Sequence, residues 1–245
     1  MSWIPGDGEH IHVVGVAGVG MSALAQALLD RGFRVSGSDR YLDQQQHVDI
    51  LETLRLAGVK LTPQDGSGVC DDCSCIAVST AIEEDNPDLL AARKKSIPVV
   101  HRAELLARLT FGKHLLAVTG TAGKTTVTGM LGHICAEAGF DPAVVNGGIV
   151  NNWRAENRVG SVRRGAGQLM IIEADESDRS LLKFEPDYAV ITNVSKDHFE
   201  LAEVEQLFAA FAAKTKNWVV SGAPSDAELS IAGRTMTLDG HDYPL

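Results

Sequence analysis

The sequence predicts an α/β fold of two successive parallel-sheet units, and three features carry that prediction. Short β-branched runs alternate with segments of helical period along nearly the whole chain. Glycine-rich turns stand between a strand and a helix twice, at "GVAGVGMS" (15–22) and "GTAGKTT" (120–126). Later strands run straight into polar residues, the end at which open parallel sheets gather ligands.

In order, "IHVVGV" is a buried parallel strand, and after the first turn Met21, Leu24, Ala25 and Leu28 share one face of a helix. Gly32 stops that helix, and "FRVSGSD" is the next strand of a βαβ unit. "ILETLRLAG" as helix, "CIAVST" as strand, "NPDLLAARKKS" as helix and "IPVVH" as strand follow, and this first unit, 1–108, ends there. The second unit, 109–245, opens with the strand "HLLAVTG", the second glycine loop and a helix with Val127, Met130, Leu131 and Ile134 as its apolar face. "SVRRGAG" is a loop, and "QLMIIEADESD" and "PDYAVITNVSKDHFE" are strands with polar ends. Val204, Leu207, Phe208 and Phe211 mark a further helix, "NWVVSG" a strand, and the Gly-punctuated remainder a hairpin.

Composition narrows the class. The 245 residues leave room for one large or two modest cores, with 44% apolar and 22% charged residues. A net charge of −10 without a long Lys/Arg run sets the chain against nucleic acid and anionic membranes as partners. No apolar stretch approaches the roughly 20 residues of a membrane span, and the start has no signal-peptide pattern. The expected location is therefore cytoplasmic, with Cys70, Cys73, Cys75 and Cys135 as reduced thiols. "CDDCSC" lacks the second ligand pair of a structural zinc site, so it is expected to be a loop entering a strand, with Cys75 buried.

The chemistry is concentrated in four stretches. In "GTAGKTT" a glycine turn presents backbone N–H groups at a helix N-terminus, Lys124 adds a charge for the β/γ-phosphates, and Thr125 offers a hydroxyl to Mg²⁺. The full P-loop spacing is not met, because Val118 stands where its first glycine belongs. In "EADESD" four carboxylates follow an apolar strand, and Glu173, nearest the strand end, suits a metal ion beside the phosphate loop. In "NVSKDHFE" Asn193, Asp197 and His198 reach the same edge, although magnesium by itself prefers oxygen to imidazole. The first turn has its glycines in a G-x-x-G-x-G order, with Asp39 closing the second strand, where a ribose or base contact fits.

Together "GVAGVGMSALA", "VSTAIEEDNPDLLAAR", "VTGTAGKTT", "NGGIV", "EADESD" and "NVSKDH" resemble the Mur ligases, over residues 10 to about 220. "VSTAI" and "ESD" lean towards the alanine-adding branch, with the peptide-recycling branch next. The resemblance implies a Rossmann-like domain for a UDP substrate, a P-loop-type central domain for ATP, and a C-terminal domain that this chain lacks. It implies an ATP-dependent ligase of peptidoglycan synthesis that joins an amino acid, L-alanine, to UDP-N-acetylmuramate through an acyl phosphate, with Mg²⁺ as cofactor.

By resemblance, Gly120, Thr121, Ala122, Gly123, Lys124, Thr125 and Thr126 hold ATP, and Lys124, Glu173 and His198 are catalytic. Thr125, Glu173 and His198 are the implied magnesium ligands. Gly18, Val19, Gly20, Met21 and Ser22 lie on the UDP diphosphate, with Ser38, Asp39, Ser79, Thr80 and Ala81 around the same cleft. Three departures stand out: Ala122 where the family has histidine, "PQDGSG" for a glycine–histidine pair, and "SGAPSD" for an asparagine–aspartate stretch. A non-ligating UDP-sugar-binding module is the alternative. An NAD-dependent oxidoreductase, suggested by the first turn alone, leaves "GTAGKTT" and "EADESD" unexplained.

Overall fold

The computed structural model describes residues 8–44, 48–195 and 200–221, and the backbone of 229–232, 235–238 and 241–244. The first unit is β1 (His10–Val14), α1 (Val19–Asp30), β2 (Arg34–Ser38), α2 (Arg40–Asp43), α3 (Asp49–Ala57), β3 (Lys60–Thr62), β4 (Cys73–Val78), α4 (Pro87–Lys94), β5 (Val99–His101) and α5 (Arg102–Leu109). Its strands form one parallel sheet in the order β3-β2-β1-β4-β5. The strand order reverses at β1, so the first glycine turn opens at the sheet's switch point, where a ligand crevice forms.

The second unit contains β6 (His114–Thr119), α6 (Lys124–Glu137), β7 (Ala143–Val145), β8 (Arg154–Ala155), β9 (Arg158–Val159), β10 (Val162–Arg163), β11 (Leu169–Glu173), β12 (Tyr188–Ile191), α7 (Leu201–Ala213) and β13 (Trp218–Ser221). Its six-stranded sheet runs β10-β7-β11-β6-β12-β13, parallel except for β10. β6 lies between β11 and β12, so the loops after all three strands meet at one edge. The remainder is an antiparallel meander of β14 (Leu229–Ala232), β15 (Thr235–Leu238) and β16 (His241–Pro244), one strand more than the expected hairpin.

One helix reading needs correction, and a second is extended. α6 turns only half of its expected face inwards: Val127 and Leu131 pack partly buried against the sheet, Met130 and Ile134 are exposed, and Thr128, Gly129 and Gly132 are buried. A Cβ on Gly132 would lie 3.0 Å from both Trp153 and Val144, so the closest approach of the helix is made where a side chain is missing. α1 is buried from Met21 to Leu28 without a solvent face, because the helix lies between its own sheet and β7, β9 and β10 of the second unit. The α7 residues Val204, Leu207, Phe208 and Phe211 are buried as expected. "SVRRGAG" is not wholly loop, since Val162 and Arg163 pair antiparallel with β7.

One ion pair fixes this junction. Asp30 at the end of α1 accepts two hydrogen bonds from the Arg158 guanidinium, one at 2.7 Å, and both side chains are largely buried. Asp30→Ala leaves a guanidinium uncompensated between the units and is expected to cost about 2 kcal/mol, read as a lower urea midpoint.

Candidate functional site

The second glycine loop begins where the buried strand β6 ends at Thr119. Gly120 has φ +133° and Gly123, the N-cap of α6, has φ +80°. No side chain caps α6, so its first N–H groups point into the loop without an acceptor from the helix itself. Residues after β12 clasp the loop from beneath. The Thr121 hydroxyl (2.5 Å) and the Ala122 N–H (2.9 Å) donate to Asn193 Oδ1, while the Asn193 amide (3.2 Å) and the Thr192 hydroxyl (2.6 Å) donate to the Ala122 carbonyl.

Glu173 is the last residue of β11, level with Val118 on β6. Its Oε1 accepts from the Thr125 hydroxyl at 3.1 Å, and its Oε2 from the Gly147 N–H at 2.7 Å. Lys124 is paired instead with Glu176, which sequence position ranked behind Glu173. Lys124 Nζ lies 2.8 Å from Glu176 Oε2 and donates to the Gly120 carbonyl at 2.8 Å. Glu176 is only 2% exposed. The turn that aims it inwards is built by Asp175 accepting from Ser177 N–H and Asp178 accepting from Ser180 N–H. Burial would raise the Asp175 carboxyl, but the Ser177 hydrogen bonds and the nearby Lys124 and Arg102 charges outweigh it and hold it below the ordinary range. Lys124, Thr125 and Glu173 therefore share one edge. His198 and Asp197 lie outside the described residues.

The first unit presents its own turn nearby. Gly18 and Val19 are exposed at the N-terminus of α1, and Thr80 and Ala81 are exposed beyond β4 with Ser79 half-buried. Met21 and Ser22 are buried, Ser22 donating to the Val19 carbonyl. Ser38 does not offer its side chain to the cleft: it is buried and donates to Asp88. Asp39 is 5% exposed, and its carboxylate accepts from Ala17 N–H (2.9 Å) and Tyr41 N–H (3.1 Å). It thus shapes the glycine turn and caps α2.

Arg102, at the start of α5, leans over Gly20 and reaches Asp175 (3.5 Å) and Asp178 (3.7 Å) across the units. Sequence reading missed Arg102, because nothing in "HRAELL" marks it as facing a turn 80 residues away. A crevice of about 70 Å³ joins Gly20 and Arg102 to Asn146, Gly147 and Glu173. A larger cavity of about 710 Å³ lies at the opposite end of β6, beside His114, and has no part in this constellation.

Comparison with known proteins shows what the chain is similar to. A model described as Mur ligase family, catalytic domain, matches residues 10–114, and one described as Mur ligase middle domain matches 118–219. The chain is 42% identical over 190 residues to a UDP-N-acetylmuramate–L-alanine ligase of Sinorhizobium fredii, covering 78% of this chain and 38% of that protein. It is 40% identical to the same ligase of Azorhizobium caulinodans, covering 82% and 42%. The chain thus spans about two fifths of the length of the curated relatives it matches.

Among solved structures, UDP-N-acetylmuramate-alanine ligase MurC of Thermotoga maritima aligns at a TM-score of 0.74 and 30% identity, over 86% of this chain and 48% of that one. UDP-N-acetylmuramate:L-alanyl-gamma-D-glutamyl-meso-diaminopimelate ligase of Neisseria meningitides aligns at 0.78 and 20% identity over 96% and 86%, a likeness of fold.

Proposed function

Because the chain belongs to the Mur ligase family, we propose that it is the sugar-nucleotide- and ATP-binding part of a ligase that joins L-alanine to UDP-N-acetylmuramate. In this reading residues 1–108 hold the UDP moiety and 109–245 hold ATP. The observation that supports it most is the convergence of Lys124, Thr125 and Glu173 on one sheet edge, opening on a crevice that reaches the N-terminus of α1.

The reaction follows from the charges that must meet. The muramyl carboxylate oxygen attacks the γ-phosphorus of ATP, the bond to the β-phosphate oxygen breaks, and ADP leaves an acyl phosphate. The amine nitrogen then attacks the acyl carbon, phosphate departs, and the amine proton is lost to a base. Lys124 offsets repulsion between the anions, and the α6 N–H groups hold phosphate oxygens in the positions the transfer requires. The Thr125 hydroxyl and Glu173 carboxylate are oxygen donors of the type magnesium takes, and they fit that ion; His198 is the third proposed ligand. Bound there, the ion supplies further neutralisation of the phosphates. Arg102 and the turn at Gly18–Ser22 orient the diphosphate end.

Calorimetry tests the reading: the chain is expected to bind both Mg-ATP and UDP-N-acetylmuramate. Binding of the UDP-sugar with no response to ATP would replace the ligase part by a non-ligating module. Glu173→Gln keeps the shape of the side chain and is expected to weaken Mg-ATP binding at least about tenfold while changing metal-free nucleotide binding little. Equal losses with and without magnesium would remove Glu173 from the metal.

A further inference from the structure

We propose that His10, Asp72 and Cys73 form a binding site for a zinc-class divalent ion, separate from the oxygen-lined site at Glu173. The sequence cluster around Cys73 lacks a second ligand pair, and the fold supplies a partner from a strand 62 residues away in the chain. β1 pairs with β4 with His10 opposite Cys73, and the register shifts between His10 and Ile11. The shift leaves Cys73 on the face of His10, while Cys75, opposite Ile11, enters the main core.

Imidazole nitrogen, carboxylate oxygen and thiol sulfur all lie within 4.8 Å of one another. His10 Nδ1 is 3.1 Å from Asp72 Oδ1 and 3.5 Å from Cys73 Sγ. Ordinary zinc bond lengths in a tetrahedron put N and O about 3.3 Å apart, and N and S about 3.6 Å apart. The donors therefore already stand close to the edges of such a tetrahedron.

Proton placement argues the same way. His10 Nε2 is 2.8 Å from Ser36 Oγ, which is 2.8 Å from His12 Nδ1, and His12 Nε2 is 3.5 Å from Asp88 Oδ2. Asp88 is fully buried and accepts from Gly66 N–H and the Ser38 hydroxyl. In the tautomer that places Nε2–H towards Asp88, His12 accepts the Ser36 O–H at Nδ1. Ser36 then accepts from His10 Nε2–H, and His10 Nδ1 keeps a lone pair aimed at the Asp72 carboxylate and Cys73. In that tautomer the nitrogen and the carboxylate are two acceptors, and a divalent ion between them satisfies both.

A hydrogen-bond acceptor that fixes the outer nitrogen is the usual support for a metal-bound imidazole, and the Ser36 hydroxyl stands in that place. Nitrogen and sulfur donors select a zinc-class ion over magnesium. Asp72 is half-exposed and held at its other oxygen by Arg34, which leaves an entry and room for a water ligand.

Cobalt(II) titration of the reduced chain tests this. One ion per chain is expected, with a thiolate-to-cobalt charge-transfer band that zinc displaces. The band is expected to persist in Glu173→Gln and Cys135→Ser and to vanish in Cys73→Ser. Asp72→Asn alters a half-exposed residue, keeps the packing, and is expected to weaken cobalt binding at least tenfold, so the test survives a Cys73 variant that does not fold. No thiolate band in the unaltered chain would show that a proton alone joins His10 to Asp72, and a band surviving Cys73→Ser would place the ion elsewhere. Either result overturns the site.

Discussion

Lys124→Met is expected to abolish measurable ATP binding and to lower stability by about 3 kcal/mol. The two losses have one origin. The Lys124 side chain is 15% exposed and that of Glu176 3%, so the pair sits where water contributes little. Methionine keeps most of the apolar stem and removes only the ammonium group. What remains is a carboxylate inside the protein with no counter-charge at 2.8 Å, and breaking a buried pair costs far more than an exposed one contributes. Glu176→Gln separates the effects. Its amide oxygen still accepts from the ammonium group, so stability is expected to fall by about 1 kcal/mol and ATP binding to persist.

The double variant Lys124→Met with Glu176→Leu is expected to regain much of the lost stability, since an apolar pair can replace a buried ion pair, and to remain unable to bind ATP. Urea unfolding and nucleotide titration of the four proteins close the cycle. Undiminished ATP binding by Lys124→Met would remove the lysine from the phosphates. Recovery of binding in the double variant would show that Lys124 serves only to neutralise Glu176.

Much of this constellation was legible in the chain, and the illegible parts share a physical reason. The glycine loop, Lys124, Thr125 and Glu173 follow strands with strong periodicity, and a doubly wound topology carries such strand ends to one edge whatever the loop lengths between them. Glu176 was ranked behind Glu173 because distance from a strand end says nothing about a turn. Asp175 and Asp178 accept hydrogen bonds within that turn, Arg179 adopts φ +57°, and the chain folds back to bring Glu176 onto Lys124.

Met130 and Ile134 of α6 were misplaced because hydropathy rewards large side chains, whereas this helix buries Gly129 and Gly132 against Val150, Trp153 and Val144 beside Val127 and Leu131. β3, β7 and β10 have two or three residues each, too few to show a period of two. α5 escaped notice because "RAELLARL" follows directly on a strand, with only His101 as a cap. The polar chain from His10 through Ser36 and His12 to Asp88 joins residues on two strands and a helix, and no local pattern links them. Among the described residues no helix is long and apolar enough to cross a membrane.

Gly120→Ala is the second substitution with a large expected effect, because space and conformation oppose it together. At φ +133° an L side chain is strained in any surroundings. Here the new Cβ would also stand 2.1 Å from Thr192 Oγ1, 2.9 Å from the Thr192 nitrogen and 3.1 Å from the Asn193 nitrogen. Thr192 could rotate its hydroxyl away, but the backbone of 192–193 continues β12 and cannot retreat without leaving the sheet. Relief must come from lifting the loop, which parts Ala122 from Asn193 and Thr192 and tilts the α6 N–H groups away from a common centre. A cost of about 3–4 kcal/mol is expected, the sum of backbone strain and overpacking, with loss of ATP affinity at least a hundredfold.

Gly112→Ala is the matched control. Its φ is +75°, nothing lies within 4 Å of the added methyl, and the site is remote from the loop. The expected cost there is about 1 kcal/mol with ATP binding unchanged. Equal unfolding midpoints for the two variants, or full ATP affinity in Gly120→Ala, would mean that the clasp from Thr192 and Asn193 does not set the shape of the phosphate loop.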